Sequence, residues 1–185
     1  LLASGKIRAM AGSNFRIADL ELFDDLSWVA SNQIPYSLLW RYYDVEGAVD
    51  KAAGAGVAHL AYSPLAQGLL TGRFGPDYVP PEGHTRSSNR LWHAPLYQEA
   101  LGIVDVLRRA AETAGRSVSQ AAVNWVVNRP GGFAAIVGAA RSNEAAVSIV
   151  RELQKRNILV FLSGNVNGRS IIHQLIEEGV EMGYD

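Results

Sequence analysis

Tyr62 and Ser63 stand where the short apolar run Val57 to Tyr62 ends, just before Pro64. The run is typical of a buried parallel strand followed by a loop. A planar ring followed by a hydroxyl and by backbone N–H groups suits a flat heteroaromatic ligand with phosphates beside it. The same residues also fit an ordinary strand-to-helix turn in which Tyr62 fills the core, and the local pattern leaves both interpretations open.

Other polar side chains fall at the ends of further predicted strands. They are Ser13 and Asn14 after the first strand, Gln33 at the end of the second, and Gly138, Arg141 and Ser142 after the fourth. The carboxyl ends of parallel strands meet at one edge of a sheet, so these amides and hydroxyls are expected to converge on a ligand amide there. A guanidinium at that edge suits a phosphate group.

Strand and helix patterns alternate along the whole chain. The predicted strands cover residues 6–11, 29–34, 57–62, 132–137 and 157–163, and the predicted helices cover residues 17–27, 43–55, 96–115, 117–128, 143–156 and 169–178. Ser117 is the predicted N-cap of the fourth helix. Repeated β-then-α units predict an α/β fold, with a parallel sheet and helices packed outside it.

Composition bounds the class of protein. The 185 residues suffice for one domain or a little more, and 48% hydrophobic with 19% charged residues is typical of a soluble globular protein. A net charge of −1 suggests neither a nucleic acid nor a membrane as partner. The chain has no cysteine, which excludes disulfides, a thiol nucleophile and cysteine-ligated metal clusters, and we predict no metal site. With no spanning run or signal-peptide pattern, we expect a cytoplasmic location.

Four stretches of the chain resemble the aldo-keto reductase family, in the family's order. They are GKIRAMAGSNF, NQIPYSLLWR, AYSPLAQGLLTG and QAAVNWVVNRPG with the following AAIVGAARS. The resemblance covers about residues 1–144. It implies the second half of a TIM-type (β/α)₈ barrel, and NADPH bound in extended form without a glycine-rich dinucleotide fingerprint.

The resemblance also implies roles for individual residues. Those that would contact the nicotinamide end are Ser13, Asn14, Gln33 and Tyr62, with Tyr62 stacking on the ring. Those in the loop under the pyrophosphate are Ser63, Leu65, Gln67 and Gly68. Those approaching the adenosine 2′-phosphate are Gly138, Arg141 and Ser142. Residues 76–95 resemble the family's variable loop beside the substrate mouth.

Catalysis in this family rests on an Asp, a Tyr, a Lys and a His at the ends of the first four strands, with the Tyr as general acid. By the resemblance, this chain begins at the fifth strand. We therefore expect none of the four in it and assign no catalytic residue. His59 lies within a strand pattern and is interpreted as a packed core histidine.

The last part of the chain departs from the family pattern. Residues from about 132 to 185 resemble a segment of the acetyl-CoA synthase subunit of the CO dehydrogenase/acetyl-CoA synthase complex, which implies a structural Rossmann-like unit without the cysteine-held cluster. The predicted domains are thus a half barrel over residues 1–144 and an appended βα segment over residues 145–185, joined by gene fusion or by an assembly artefact. The SGNVNGRS stretch at residues 163–170 is interpreted as a strand-to-helix turn rather than an anion cradle.

Two functions from different classes follow. In the first, the chain is an NADPH-binding fragment of a carbonyl reductase, inactive alone, whose substrate if active would be a small carbonyl compound. In the second, it is a non-enzymatic half-barrel scaffold or fusion product. Four barrel strands with one appended strand leave an open edge, and open edges pair, so we expect a homo-oligomer.

Overall fold

A computed structural model describes residues 1–138 of the chain. The chain divides into two compact units, Leu1–Ala135 and Ile136–Asp185. Every helix and strand given below belongs to the first unit. Several predictions lie outside the described residues. They are the domain boundary at residue 144, the helices at 143–156 and 169–178, and the strand at 157–163.

Four parallel strands form the described sheet. They are β1 (Met10–Ser13), β2 (Val29–Pro35), β3 (Ala58–Tyr62) and β4 (Phe133–Ala135). Their order in the sheet is β1-β2-β3-β4, the same as in the sequence. An open doubly wound sheet reverses direction at a switch point, whereas a (β/α)₈ barrel adds each strand beside the last. The sheet therefore has the order of a partial barrel, which confirms the predicted fold class.

Helices connect the strands. They are α1 (Ile17–Leu20), α2 (Tyr42–Val45), α3 (Ala48–Gly54), α4 (Leu96–Thr113) and α5 (Val118–Val127), with 3₁₀ turns at Leu26–Trp28, Ala66–Thr71 and Arg90–Trp92. The Ser117 side chain accepts a hydrogen bond from the Gln120 N–H at the start of α5, which confirms the predicted N-cap. None of the helices within residues 1–138 is long and apolar enough to cross a membrane.

Two of the predicted helices differ from the observed ones. The helix predicted over residues 17–27 ends at Leu20, because the Asp25 side chain accepts from the Ser27 N–H and starts a separate 3₁₀ turn. The helix predicted over residues 43–55 is divided at Gly47, whose φ of 83° is left-handed. The first strand was also placed wrongly: it covers Met10–Ser13 rather than residues 6–11, since pairing with β2 determines its position.

Two apolar clusters hold the layers together. The first packs the sheet against α3 and α5 and includes Ile34, Ala52 and Val126, all fully buried. The second packs the 3₁₀ turn Ala66–Thr71 against α4 and α5 through Leu69, Leu70 and other side chains. Burial of apolar surface stabilises the fold by about 25 cal/mol per Å². The two clusters therefore stabilise the sheet and the loop after β3, which carry the predicted site residues.

A column of stacked rings crosses the first cluster. His59 stacks on Phe133 with ring centroids 4.6 Å apart, Phe133 on Tyr36 at 4.5 Å, and Tyr36 on Trp125 at 5.7 Å. The Tyr36 hydroxyl donates to the Asp44 carboxylate and accepts from Arg129 Nε at 3.0 Å. This partly buried polar contact ties the segment after β2 to α2 and to the segment after α5.

His59 is 1% exposed, and its Nδ1 lies 2.9 Å from the Gly131 carbonyl oxygen, as a packed core histidine should. Burial lowers the pKa of His59, and the hydrogen bond with Gly131 offsets this only in part. The unfolded chain therefore binds a proton more readily than the folded chain. The stabilisation by neutral His59 is complete above an unfolded pKa of about 6.5 and is lost as the pH falls below it.

We expect the free energy of unfolding to fall between about pH 7.5 and about pH 5.5, and this loss to be reduced in His59→Gln. Urea unfolding at the two pH values measures it. Val126→Ala supplies the control, because it destabilises the apolar cluster that holds Phe133 without removing the His59 imidazole and should keep the full pH dependence. An undiminished loss in His59→Gln would contradict the assignment.

Candidate functional site

The register of the sheet brings the predicted site residues to one edge. Ser13 at the end of β1 pairs with Gln33 of β2, and Pro35 at the end of β2 pairs with Tyr62 at the end of β3. The strands β2 and β3 thus end at the same level, and β1 ends two residues earlier at the same edge. Parallel α/β folds bind their ligands at this edge.

A chain of hydrogen bonds joins four of the predicted residues. The Tyr62 hydroxyl donates to Asn14 Oδ1 at 3.0 Å, and Asn14 Nδ2 donates to Ser13 Oγ at 3.2 Å. The Gln33 carbonyl accepts from Ser13 Oγ at 3.3 Å and from the Asn14 N–H at 2.8 Å. Asn14 has a left-handed φ of 61°, which asparagine tolerates better than most residues. Ser13 and Asn14 are exposed, so the edge presents amide and hydroxyl groups to solvent.

Asn32 of β2 holds the segment that follows β1, and it was not among the residues predicted from the sequence. Its side chain is 1% exposed and bridges the backbone of Phe15: the Phe15 N–H donates to Asn32 Oδ1 at 3.1 Å, and Asn32 Nδ2 donates to the Phe15 carbonyl at 2.9 Å. The two bonds hold the segment that carries Asn14. A polar residue at a buried position of β2 was the available signal.

Tyr62 is half-buried beside a cavity of about 170 Å³ at the strand ends. The lining residues are Pro35, Tyr36, Trp40, Tyr62, Ser63, Ala66, Gln67 and Asn89. Burial raises the pKa of Tyr62, so the phenol stays protonated at neutral pH and keeps its bond to Asn14. Aromatic rings and short polar groups around one cavity are typical of a small-molecule site.

The loop after β3 has an unusual backbone. Ser63, Ala66 and Gln67 have φ of 55°, 48° and 56°, and Gly68 follows with φ of 97°. A left-handed residue other than glycine costs about 1–3 kcal/mol, and such strain concentrates at ligand sites. The loop closes on itself through bonds from the Ala66 N–H to the Ser63 carbonyl at 2.8 Å and from the Gly68 N–H to the Leu65 carbonyl at 2.9 Å.

Two residues of the irregular segment 76–95, Arg86 and Asn89, contact this loop, and neither was among the residues predicted from the sequence. Arg86 Nε donates to the Gln67 carbonyl at 2.9 Å, and Asn89 Nδ2 donates to Gln67 Oε1 at 2.9 Å. Part of the predicted variable loop thus packs on the predicted pyrophosphate loop. No sequence motif signals these contacts.

Four predicted residues lie outside this arrangement. The Leu65 side chain packs against the second apolar cluster, so Leu65 would reach a ligand with its backbone only. Gly138 belongs to the second unit, while Arg141 and Ser142 lie outside the described residues. Within residues 1–138, no group of histidine and acidic side chains is arranged to hold a metal ion.

The chain matches a known protein family and several of its members. Residues 1–154 match the aldo/keto reductase family, ten residues beyond the expected end of the resemblance at residue 144. The chain is 32% identical to the aldo-keto reductase YhdN of Bacillus subtilis over 145 residues, which are 78% of this chain and 44% of the relative. It is 30% identical over 133 residues to an L-glyceraldehyde 3-phosphate reductase of Escherichia coli O157:H7, or 70% of this chain and 37% of the relative.

The fold has a counterpart among solved structures. The glycerol dehydrogenase of Gluconobacter oxydans superposes with a TM-score of 0.70 at 27% identity, over 99% of this chain and 53% of that chain. The chain therefore spans about half the length, or less, of the relatives it matches. The similarity of residues 132–185 to acetyl-CoA synthase stays a prediction.

Proposed function

This chain belongs to the aldo/keto reductase family, and from that membership we propose that it carries the cofactor-binding half of an NADPH-dependent carbonyl reductase. The observation that carries the proposal is the hydrogen-bonded chain of Tyr62, Asn14 and Ser13 beside the cavity at the strand ends. The substrate we propose is a small carbonyl compound.

The residues at the strand ends fit a nicotinamide. Asn14 and Gln33 each carry a side-chain amide with hydrogen-bond donors and an acceptor, and the Ser13 hydroxyl can donate or accept. The carboxamide of a nicotinamide also has donors and an acceptor, so it can pair with these groups. Tyr62, held at its hydroxyl by Asn14, offers a ring face of fixed orientation for stacking. When bound, the cofactor would supply the hydride that reduces the carbonyl carbon.

The loop after β3 fits the pyrophosphate. In this proposal the Ser63 hydroxyl and the backbone of the loop at Gly68 lie against the phosphate oxygens, with the Arg86 guanidinium close to Gly68. The preference for NADPH over NADH rests in this proposal on Arg141, whose guanidinium would pair with the 2′-phosphate. Gly138 and Ser142 would line the same end of the cofactor.

The proton donor is proposed to be absent from this chain. Reduction of a carbonyl needs an acid to protonate the oxygen, and a tyrosine does this when nearby cations lower its pKa. The two tyrosines that line the cavity are shifted the other way: burial raises the pKa of both Tyr36 and Tyr62. The Tyr36 hydroxyl is in addition engaged by Asp44 and Arg129.

The proposal predicts binding without turnover. Titration with NADPH should quench the intrinsic tryptophan fluorescence saturably, while a steady-state assay with NADPH and an aromatic aldehyde should show no oxidation above the protein-free rate. Brisk turnover would overturn the claim that the acid is missing. A folded sample that fails to bind either NADPH or NADH would overturn the cofactor-binding claim itself.

A further inference from the structure

Gln67 in the loop after β3 is constrained at both of its oxygens. Both of its oxygens accept hydrogen bonds from the irregular segment, the backbone carbonyl from Arg86 and the side-chain amide from Asn89. Its own φ of 56° is left-handed, and glutamine has no intrinsic preference for that conformation. The strain must be balanced by neighbouring contacts.

The Arg86 guanidinium lies among aromatic rings. Its Cζ is 5.0 Å from the centroid of Phe74 and 5.1 Å from that of Trp92, and Nη1 is 3.5 Å from the Tyr78 hydroxyl. Cation–π contacts of this kind fix the direction of the side chain. Arg86 Nη2 would lie 3.4 Å from a Cβ added at Gly68, so the guanidinium also covers the backbone next to Gln67.

Asn89 is fixed in orientation by a second bond. Its Oδ1 accepts from the Leu91 N–H at 3.0 Å and caps the 3₁₀ turn Arg90–Trp92. Its Nδ2 must therefore face Gln67, which makes the Gln67 amide present Oε1 toward Asn89. Both contacts hold Gln67 in a single conformation.

We propose that Arg86 and Asn89 are positioning residues that form a clasp on Gln67 and hold the cofactor loop in its binding conformation before the cofactor arrives. The proposal rests on the proposed function. A preorganised loop does not lose conformational entropy on binding, so affinity depends on the clasp although neither residue is required to touch the cofactor.

Three variants and a matched control test the clasp. Arg86→Met keeps the aliphatic part of the side chain but removes the guanidinium, with its donors and its contacts to the rings. Asn89→Ser keeps a capping oxygen for Leu91 and is too short to reach Gln67. Gln67→Gly removes the left-handed strain, and Arg90→Met alters an exposed neighbour outside the clasp.

Hydrogen exchange of residues 63–72 without cofactor, and the Kd for NADPH, are the two readouts. Arg86→Met and Asn89→Ser should each speed exchange in the loop and raise the Kd about tenfold, as loss of one hydrogen bond to a strained carbonyl or amide predicts. Arg90→Met should change neither. In the Gln67→Gly background, Arg86→Met should raise the Kd less than about threefold, because the strain that Arg86 balances is gone.

Unchanged exchange in both single variants would overturn the clasp. An equal rise in Kd with and without Gln67→Gly would do so as well, since a purely structural role would not depend on the conformation of residue 67. If the wild-type chain binds no NADPH, the proposed function fails, while the exchange rates still decide whether the clasp holds the loop.

Discussion

Replacing Tyr62 with alanine is expected to weaken NADPH binding by roughly five- to 150-fold, the range that corresponds to about 1–3 kcal/mol for one aromatic stacking contact. The ring lies at the end of β3 beside the cavity, and its hydroxyl donates to Asn14. The substitution removes both the stacking face and the partner of the Asn14 amide. A fluorescence titration of the variant against the wild-type chain measures the effect.

Tyr62→Phe is the matched control, because it keeps the ring and removes only the hydroxyl that reaches Asn14. We expect it to weaken binding severalfold at most, in line with the loss of one exposed hydrogen bond of about 1 kcal/mol. Wild-type affinity in Tyr62→Ala would show that the ring fills space and does not stack on a ligand. That outcome would support the alternative interpretation, in which Tyr62 fills the core at an ordinary strand-to-helix turn.

Replacing Asn32 with alanine is expected to lower the free energy of unfolding by about 2–4 kcal/mol. Two hydrogen bonds are lost at once, and the N–H and carbonyl of Phe15 are left without their partner at a half-buried position. Urea unfolding monitored by circular dichroism gives the difference. At denaturant concentrations where the variant is folded, NADPH binding should also weaken, since the Phe15 backbone supports Asn14.

The exposed asparagine of α5, Asn124, provides the comparison. Asn124→Ala removes an amide of the same size from a helix surface together with one exposed hydrogen bond from Asn128, and its effect should stay within about 0.5 kcal/mol. A loss in Asn32→Ala no larger than this would mean that water replaces the bridge to Phe15. The anchoring role of Asn32 would then be wrong.

Local patterns were sufficient where one short segment decides its own structure. The apolar run before Tyr62 predicted β3, and Ser117 predicted the start of α5. Local sequence patterns gave wrong bounds where pairing with a distant segment determines the structure. Pairing with β2, about twenty residues away, determines where β1 lies. The helix predicted over residues 43–55 was wrong for a local reason, because the left-handed Gly47 divides it.

The sequence by itself determined the alternation of strands and helices, the family to which the chain belongs, and the residue types at the strand ends, because each of these is written in contiguous stretches. Only the tertiary structure decided which of those residues meet. The contact of Tyr62 with Asn14 spans 48 positions, and the contacts of Arg86 and Asn89 with Gln67 bring an irregular segment onto a strained loop. Such contacts depend on strand register and on packing of the whole sheet, which no local pattern encodes.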